Sequence, residues 1–134
     1  SDKSLKYDNM LNDAFLKPEL TRFELHRVWV IEGVLKQGAE HIYSKRIMYV
    51  DEDSWYVALM DQYDTKGELW RVKMLYLMQA YDAPGLYTSG EVQHDLNARK
   101  SVFSAFQNEE PATEFNVAVK PGDFTPAALR KLMR

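Results

Sequence analysis

Long apolar runs alternate with short polar clusters through the middle of the chain. Between His41 and Tyr81, three runs rich in Tyr, Trp, Val, Ile and Met are separated by two polar turns, at 51–54 and 64–67. Such runs, bounded by clusters of Asp, Ser and Gly, are typical of β-strands joined by tight turns. The pattern therefore predicts an antiparallel meander over this stretch.

The same pattern extends in both directions and predicts an antiparallel sheet over 21–107. The expected strands are Arg22–Lys36, Ile42–Val50, Trp55–Tyr63, Leu69–Tyr81, Leu86–Leu96 and Ser101–Gln107. Their turns are spaced more widely than the roughly 8–12 residues typical of small sandwiches. We therefore expect a mostly β (α+β) fold, built as a curved, half-barrel-like meander of about six long strands.

The two ends of the chain predict short helices. Residues 1–21 are weakly patterned and Pro18 prevents a continuous helix, so one or two short helical turns are expected there. Thr125 and Pro126 are typical of the N-cap and first position of a helix, which we expect over 125–134. Phe124 and Leu129 occupy the positions of a hydrophobic staple. The apolar face of this helix predicts that it docks on the sheet.

Both faces of the predicted sheet carry apolar side chains. If the turns set the register, Trp29 lies opposite Met48, Met48 opposite Val57, and Val57 opposite Leu75. One face is then the more continuous apolar surface, whereas the other has an apolar centre surrounded by charged residues. The residues expected to form a ligand-binding wall on the first face are Val30, Tyr49, Tyr56, Ala58, Met60, Met74 and Tyr76.

Two explanations of this Tyr- and Met-rich face stay open. It is either an ordinary core, in which Met fills irregular gaps and each Tyr hydroxyl finds a partner, or the wall of an apolar ligand pocket. The charged residues around the other face are Arg27, Arg46, Arg71 and Lys73, which we call the charged fence. They also have two possible explanations. The members of the fence are either salt-bridged rim residues or a seat for an anionic headgroup or a partner.

Candidate catalytic and metal-ligating residues form no recognisable site. The predicted register places His26 opposite Asp51 and far from the other two histidines, which favours a polar contact over a metal site. The turn aspartates are typical turn residues, and Asp61 is expected to pair with Arg71. The sequence has no nucleophile elbow and no glycine-rich phosphate loop. We therefore expect a protein that is not an enzyme and that uses no metal or cofactor.

Composition narrows the class of protein further. With 134 residues, of which 46% are hydrophobic, the chain suits one domain over 1–134 with a real core. A net charge of −3 without a basic stripe argues against nucleic acid as a partner. The absence of cysteine excludes disulfides, thiolate metal sites and cysteine nucleophiles. The apolar runs are too short for a transmembrane segment, and no signal peptide is visible.

Several segments resemble a bacterial domain-of-unknown-function family. The matching strings are Phe23–Glu32, His41–Arg46, Tyr49–Trp55, Asp61–Asp64 followed by Gly67–Val72, and Phe124–Arg130. The resemblance implies a secreted envelope protein of Gram-negative bacteria, located in the periplasm or at the outer-membrane periphery. Members of that family are longer, so this chain is expected to be the C-terminal part of such a protein.

The turns are also similar to those of the periplasmic lipoprotein-localisation factors, the LolA/LolB-like fold. In that group a Val-Asp…Trp turn leads into a strand that ends Tyr-Asp-x-x-Gly, as Val50-Asp51…Trp55 and Tyr63-Asp64-Thr65-Lys66-Gly67 do here. The fold implied is a curved half-barrel whose concave apolar face holds acyl chains. The function implied is a carrier of a lipid-like or other hydrophobic ligand, with an envelope transport protein as partner. The alternative is a protein–protein interaction or structural module of the cell envelope.

Overall fold

The structure, a computed structural model, describes residues 3–12 and 15–133. A short helix and a two-stranded hairpin come first: α1 (Tyr7–Met10), β1 (Leu11–Asn12) and β2 (Phe15–Leu16). A 3₁₀ helix follows at Pro18–Leu20. The main sheet is built from β3 (Val28–Val34), β4 (Lys45–Asp51), β5 (Val57–Tyr63), β6 (Leu69–Ala80), β7 (Gly85–Asp95) and β8 (Lys100–Ser104). A second 3₁₀ helix, Pro121–Phe124, precedes α2 (Pro126–Leu132).

The six strands of the main sheet confirm the predicted meander. They are antiparallel throughout and lie in chain order from β3 to β8, so the sheet is open, with β3 and β8 at its edges. The first strand is shorter than expected, because it begins at Val28 rather than Arg22. Its partner β4 ends at Asp51, which pairs with Val28, so the residues before Val28 have no strand to continue along.

Local hydrogen bonds of Asp51 and Asp64 stabilise the two polar turns, as the sequence predicted. The Asp51 carboxylate accepts hydrogen bonds from the Ser54 backbone N–H at 2.9 Å and the Ser54 hydroxyl at 2.6 Å. The Asp64 carboxylate accepts from the backbone N–H groups of Lys66 and Glu68 at 2.8 and 2.9 Å. Such local bonds stabilise a turn without any ligand.

The predicted strand register is wrong at each of the first three pairings. The observed pairs are Trp29 with Val50, Met48 with Met60, and Leu59 with Met74. The first pairing is therefore displaced by two residues, the second by three and the third by one. β-Bulges, which add an unpaired residue to one strand, interrupt the β4–β5 and β5–β6 ladders. Because an odd slip turns a side chain to the other face, β5 from Leu59 onward is reversed relative to the prediction.

Two rows of side chains define the faces of the sheet. The row Val30, Tyr49, Leu59, Met74, Val92 and Phe103 crosses all six strands on the face that we call the inner face. The row Ile31, Met48, Met60, Lys73, Gln93 and Val102 crosses the opposite, outer face. Val92 on the inner face is fully buried.

The β7–β8 end of the inner face is covered by the N-terminal segment and by the chain that follows β8. Phe15 packs on His94 with ring centroids 5.2 Å apart, and Phe106 packs on Tyr76 at 5.8 Å. Met10 and Leu16 are buried. The best-packed core therefore lies between the N-terminal segment and the β7–β8 end of the inner face.

The C-terminal helix forms as predicted but does not dock on the sheet. Thr125 is the N-cap, and its hydroxyl accepts a hydrogen bond from the Ala128 backbone N–H at 3.2 Å. None of the residues of α2 is buried, and Leu132 is 83% exposed. The docking expectation is therefore wrong. Aromatic side chains from other segments occupy the inner face instead. Within the described part of the chain, no helix is long and apolar enough to cross a membrane.

Candidate functional site

An apolar cavity of about 310 Å³ lies between the N-terminal segment and the end of β8. We call it the N-terminal cavity. Its apolar and aromatic walls are Tyr7, Met10, Leu11, Leu16, Phe103 and Phe106. Ser104, Ala105 and Glu110 complete the lining. A concave site of mostly apolar side chains with a few polar groups is the usual form of a small-molecule pocket, and this volume is at the lower end of the range.

Polar contacts attach the N-terminal segment to the chain after β8. The Tyr7 hydroxyl donates to the Phe106 carbonyl oxygen at 2.7 Å, and the Tyr7 backbone N–H donates to the Glu109 carboxylate at 2.7 Å. The Lys3 ammonium donates to the backbone carbonyl oxygens of Gln107 and Glu110. These contacts hold one wall of the cavity against the other, although the two segments are about a hundred positions apart in the sequence.

A glycine on β7 makes room for the aromatic wall. Gly90 is buried opposite Tyr76, and a Cβ placed on it would lie 2.9 Å from two ring carbons of Phe106. Phe106 in turn lies 6.2 Å from Phe103, centroid to centroid. The cavity wall therefore depends on the close approach of a benzyl ring to bare backbone at position 90.

His94 packs against Phe103 of the cavity wall, with ring centroids 6.4 Å apart, and is uncharged near neutral pH. Its ring contacts Phe15, and its Nδ1 lies 2.6 Å from the Ser101 hydroxyl. Burial lowers the pKa of His94 below its ordinary 6.5. A neutral imidazole between aromatic rings suits an apolar wall, since burying a charge here would cost free energy.

Four of the seven residues predicted to bind a ligand share the inner face: Val30, Tyr49, Met74 and Tyr76. Tyr76 lies nearest the N-terminal cavity, since its ring contacts Phe106. Burial raises the pKa of the Tyr76 hydroxyl. The Tyr49 hydroxyl donates to Asp61 at 3.0 Å, and this hydrogen bond raises the pKa of Tyr49.

The other three residues predicted to bind a ligand, Tyr56, Ala58 and Met60, do not lie with these four on the inner face. Met60 pairs with Met48 and Lys73 on the outer face, and Ala58 is the extra residue of the β-bulge in β5. Tyr56 and Met60 instead line a groove of about 260 Å³ on the outer face, which we call the outer groove. Its other lining residues are Val57, Lys73, Leu75 and Glu91. The reversed register of β5 is the reason for this separation.

Sequence reasoning missed most of the N-terminal cavity. Its lining residues lie in the weakly patterned first 21 residues and in the last predicted strand with its loop. Met10, Leu11 and Leu16 were the available signal, because apolar residues in a short irregular segment need a surface to cover them. Nothing in local periodicity indicates which part of the sheet they cover.

The contact predicted between His26 and Asp51 is confirmed. His26 Nδ1 lies 2.8 Å from an Asp51 carboxylate oxygen, and this bond raises the pKa of His26 above its ordinary 6.5. The donor atoms of His26, Asp51 and Asp53 lie within 4.8 Å of one another, as metal ligands would. Both Asp51 oxygens, however, already accept bonds from His26 and Ser54. The hydroxyl of Ser54 is the main cause of the lowered pKa of Asp51. The arrangement is therefore accounted for as a turn.

The cations of the charged fence are largely paired. Arg27 lies 3.6 Å from Glu52, Lys73 lies 2.9 Å from Glu91, and Arg71 lies 2.9 Å from Asp95. The pairing expected between Asp61 and Arg71 is wrong, because the register places Asp61 opposite Val72 on the inner face. Arg46 packs over the Tyr43 ring, 5.2 Å from its centroid. These contacts favour the interpretation of the fence as rim residues.

The open antiparallel sheet places the chain in a known class of fold. A domain from Vibrio parahaemolyticus, provisionally classed as an outer-membrane lipoprotein-sorting protein, superposes with a TM-score of 0.52 at 15% identity. The match covers 77% of this chain and 42% of that one. A DUF1329 family protein from Desulfovibrio piger superposes with a TM-score of 0.50 at 18% identity, over 76% of this chain and 40% of that one. The fold is therefore that of the lipoprotein-sorting-like domains.

The chain belongs to the DUF1329 family of proteins of unknown function, whose family model matches residues 1–130. The uncharacterized protein PA3922 of Pseudomonas aeruginosa is 40% identical over 131 residues. That alignment covers 97% of this chain but 29% of PA3922. The chain thus spans less than a third of the curated relative that it matches, and the resemblance seen in the sequence is confirmed.

Proposed function

We propose that the chain binds an apolar molecule, such as an acyl chain, in the N-terminal cavity. The observation that supports this proposal most directly is a cavity of about 310 Å³, which is lined by Tyr7, Met10, Phe103 and Phe106 and lies where two distant segments of the chain meet. Burial of apolar ligand surface supplies roughly 25 cal/mol per Å² before the costs of binding are subtracted. Ser104 and Glu110 leave a polar side to the lining, which would orient an amphiphilic ligand.

The inner face offers a path beyond the cavity. Tyr76 contacts Phe106, and Tyr76 and Met74 on β6 lie on the same face as Tyr49 on β4 and Val30 on β3, with β5 between β6 and β4. A ligand longer than the cavity would extend along this surface. On this hypothesis these four residues contact the ligand, whereas a role for Tyr56, Ala58 and Met60 would require a second site in the outer groove.

The fold similarity supports a carrier in the cell envelope. The Vibrio domain is provisionally classed as an outer-membrane lipoprotein-sorting protein domain. By analogy we infer that this chain acts in the periplasm or at the outer-membrane periphery, by binding rather than by catalysis, and hands its ligand to an envelope transport protein. This inference about location and role rests on similarity of fold alone.

Filling the cavity is expected to abolish binding of an apolar probe. The probe is N-phenyl-1-naphthylamine, an uncharged dye that fluoresces in apolar surroundings and can be excited without exciting tryptophan. Leu11→Trp places an indole in the cavity wall, and it should weaken binding by about tenfold or more, equivalent to roughly 1.4 kcal/mol. The matched control is Val102→Trp, since Val102 is 67% exposed on the outer face and outside the cavity lining.

Equal binding by the wild-type chain and both variants would show that the dye binds elsewhere and would contradict the proposal. Absence of dye binding by the wild-type chain would contradict it as well. Urea unfolding of each variant verifies that Leu11→Trp still folds.

A second candidate function, pairing with another polypeptide strand, is favoured by the exposure of β3. Both faces of this edge strand carry exposed apolar side chains: Trp29 is 54%, Val30 65% and Val34 65% exposed. The bonds that join Leu35 to Ser44 and Glu52 to Arg27 show that odd-numbered residues of β3 bond to β4. The N–H and C=O groups of the even-numbered residues therefore point away from the sheet, as a template for strand addition.

Sedimentation velocity over a range of concentrations tests this candidate. We expect concentration-dependent association that Val30→Lys removes, because a lysine on an edge strand opposes strand pairing. Val102→Lys, at an equally exposed valine on the opposite edge strand β8, is the control and should still associate. A wild-type chain that stays monomeric at every concentration would contradict pairing between copies.

A further inference from the structure

The C-terminal segment 117–133 combines exposed apolar side chains with cations. Its exposed apolar residues, which we call the C-terminal apolar patch, are Val117, Val119, Phe124, Leu129, Leu132 and Met133. They range from 52% to 83% exposed. Six large apolar side chains in 17 consecutive residues are more than scattered surface hydrophobics, and such a patch indicates an interaction site.

The charge of this segment differs in sign from that of the remaining chain. Three of the 17 basic residues, but one of the 20 acidic residues, lie in 117–133. The segment is therefore net +2, whereas the remaining residues together are net −5. An anionic partner would be attracted to this segment and repelled by the rest of the molecule.

The helix presents the two kinds of side chain on different sides. Leu129, Leu132 and Met133 are three and four positions apart, which places them on one side of α2 and its last turn. Arg130 and Lys131 lie between them in sequence and therefore project from the other sides. Their long aliphatic stems let the charges reach headgroups while the apolar side enters the interface.

Local interactions form this helix without the sheet. Thr125 caps its first turn, Pro126 occupies its first position, and two cations lie in its last turn. The helix and its apolar side therefore form without contact to another surface. A second copy of the chain would be a poor cover, because pairing the two patches would bring like charges together.

We propose that 117–133 is a docking surface for an anionic phospholipid bilayer. The patch enters the headgroup region, and Lys120, Arg130 and Lys131 contact lipid phosphates. The surface binds peripherally and reversibly, since one short helix and two or three cations supply only part of what stable anchoring needs. This proposal does not depend on the ligand in the N-terminal cavity, since none of the cavity's lining residues belongs to the segment.

Co-sedimentation with vesicles of phosphatidylglycerol and phosphatidylethanolamine tests the proposal, with phosphatidylcholine vesicles as the neutral comparison. The bound fraction should rise with phosphatidylglycerol content and fall with added salt. The double variants Leu132→Ser/Met133→Ser and Arg130→Gln/Lys131→Gln should each lower the partition coefficient by roughly tenfold or more. The control Lys100→Gln/Val102→Ser removes one cation and one exposed apolar residue from β8 and should bind as the wild-type chain does.

Three outcomes would overturn the proposal: no vesicle binding by the wild-type chain, equal binding to neutral vesicles, or equal loss in the β8 control. The third would mean that charge and exposed apolar area anywhere on the surface suffice. Because the substituted residues are exposed, all variants should unfold in urea at the wild-type midpoint, which separates lost binding from lost folding. Binding of the apolar dye in the cavity should be unchanged in both C-terminal variants, so the two proposals fail or survive separately.

Discussion

Gly90→Ala is expected to lower the free energy of unfolding by about 1–3 kcal/mol, the usual cost of inserting a methyl group into a filled site. The added Cβ would lie 2.9 Å from Cδ1 and Cε1 of Phe106 and 3.0 Å from its Cζ. Contacts below 3.0 Å cannot persist, so the Phe106 ring must move. Since Phe106 packs on Tyr76 and Phe103, the movement disturbs both the core and the wall of the N-terminal cavity.

Urea unfolding of matched glycine variants measures this effect. Among the described residues nothing lies within 4 Å of a Cβ built on Gly122, so Gly122→Ala should leave stability unchanged or raise it by about 0.4–1 kcal/mol. Combining Gly90→Ala with Phe106→Leu should cost less than the two single changes added together, because the smaller side chain relieves the clash. Equal effects of the two alanine substitutions, or strict additivity in the double variant, would refute the proposed close approach.

Asp95→Ala is expected to cost more, about 2–4 kcal/mol, because one partly buried carboxylate serves three donors. It accepts from Arg71 Nε at 2.9 Å, from Trp70 Nε1 at 3.0 and 3.1 Å, and from the Ala98 backbone N–H at 2.8 Å. Removing it leaves the Arg71 guanidinium, whose side chain is 24% exposed, without its counter-ion. The Arg71 side chain also contacts Trp70 on β6 and Tyr43, which precedes β4, so the loss should extend over β6 and β7.

The Asp95 carboxylate also makes the stability of the folded state depend on pH, and the direction of this dependence follows from its pKa. The backbone N–H of Ala98, and then Arg71 and Trp70, lower the pKa of Asp95 below its ordinary 3.8. Lys73 likewise lowers the pKa of Glu91. A carboxyl whose pKa is lower in the folded state adds stability that is full above its unfolded pKa and is lost as the pH falls through the folded one.

Thermal or urea unfolding between neutral pH and about pH 2 should therefore show stability that declines below about pH 4. Asp95→Asn should flatten the decline, and Asp82→Asn, at an exposed turn position, is the matched control variant. A wild-type profile that Asp95→Asn does not alter would contradict the role assigned to this carboxylate.

The strands were predictable because their signal is local. Apolar runs ended by the turns at Asp51 and Asp64 need no knowledge of the rest of the chain, and the structure places strand ends close to these turns. Register is not local, because it depends on loop length and on bulges such as the one at Ala58. That single extra residue contributes to placing Met60 on the outer face, away from Tyr49 and Met74.

The candidate site was less predictable than the sheet. The N-terminal cavity is made by Tyr7, Met10 and Leu16 against Phe103 and Phe106, and these contacts join segments about a hundred residues apart. The N-terminal segment has no helical or strand period that marks its apolar side, and the strand pattern of 101–107 does not indicate which segment covers it. The C-terminal helix was likewise predictable only in part. Thr125 and Pro126 indicate where the helix begins, but no local feature of the sequence indicates whether a sheet, a membrane or another chain covers it.

Methionine methyl resonances give the most direct test of ligand binding in the N-terminal cavity. The chain has six methionines, which lie in different surroundings. Met10 lines the cavity, Met60 lines the outer groove, Met74 lies on the inner face, and Met133 lies beyond α2. Titration with N-phenyl-1-naphthylamine should shift the Met10 methyl signal first and most, and leave Met60 and Met133 in place. A shift confined to Met60, or no shift of Met10 at saturating dye, would contradict the account.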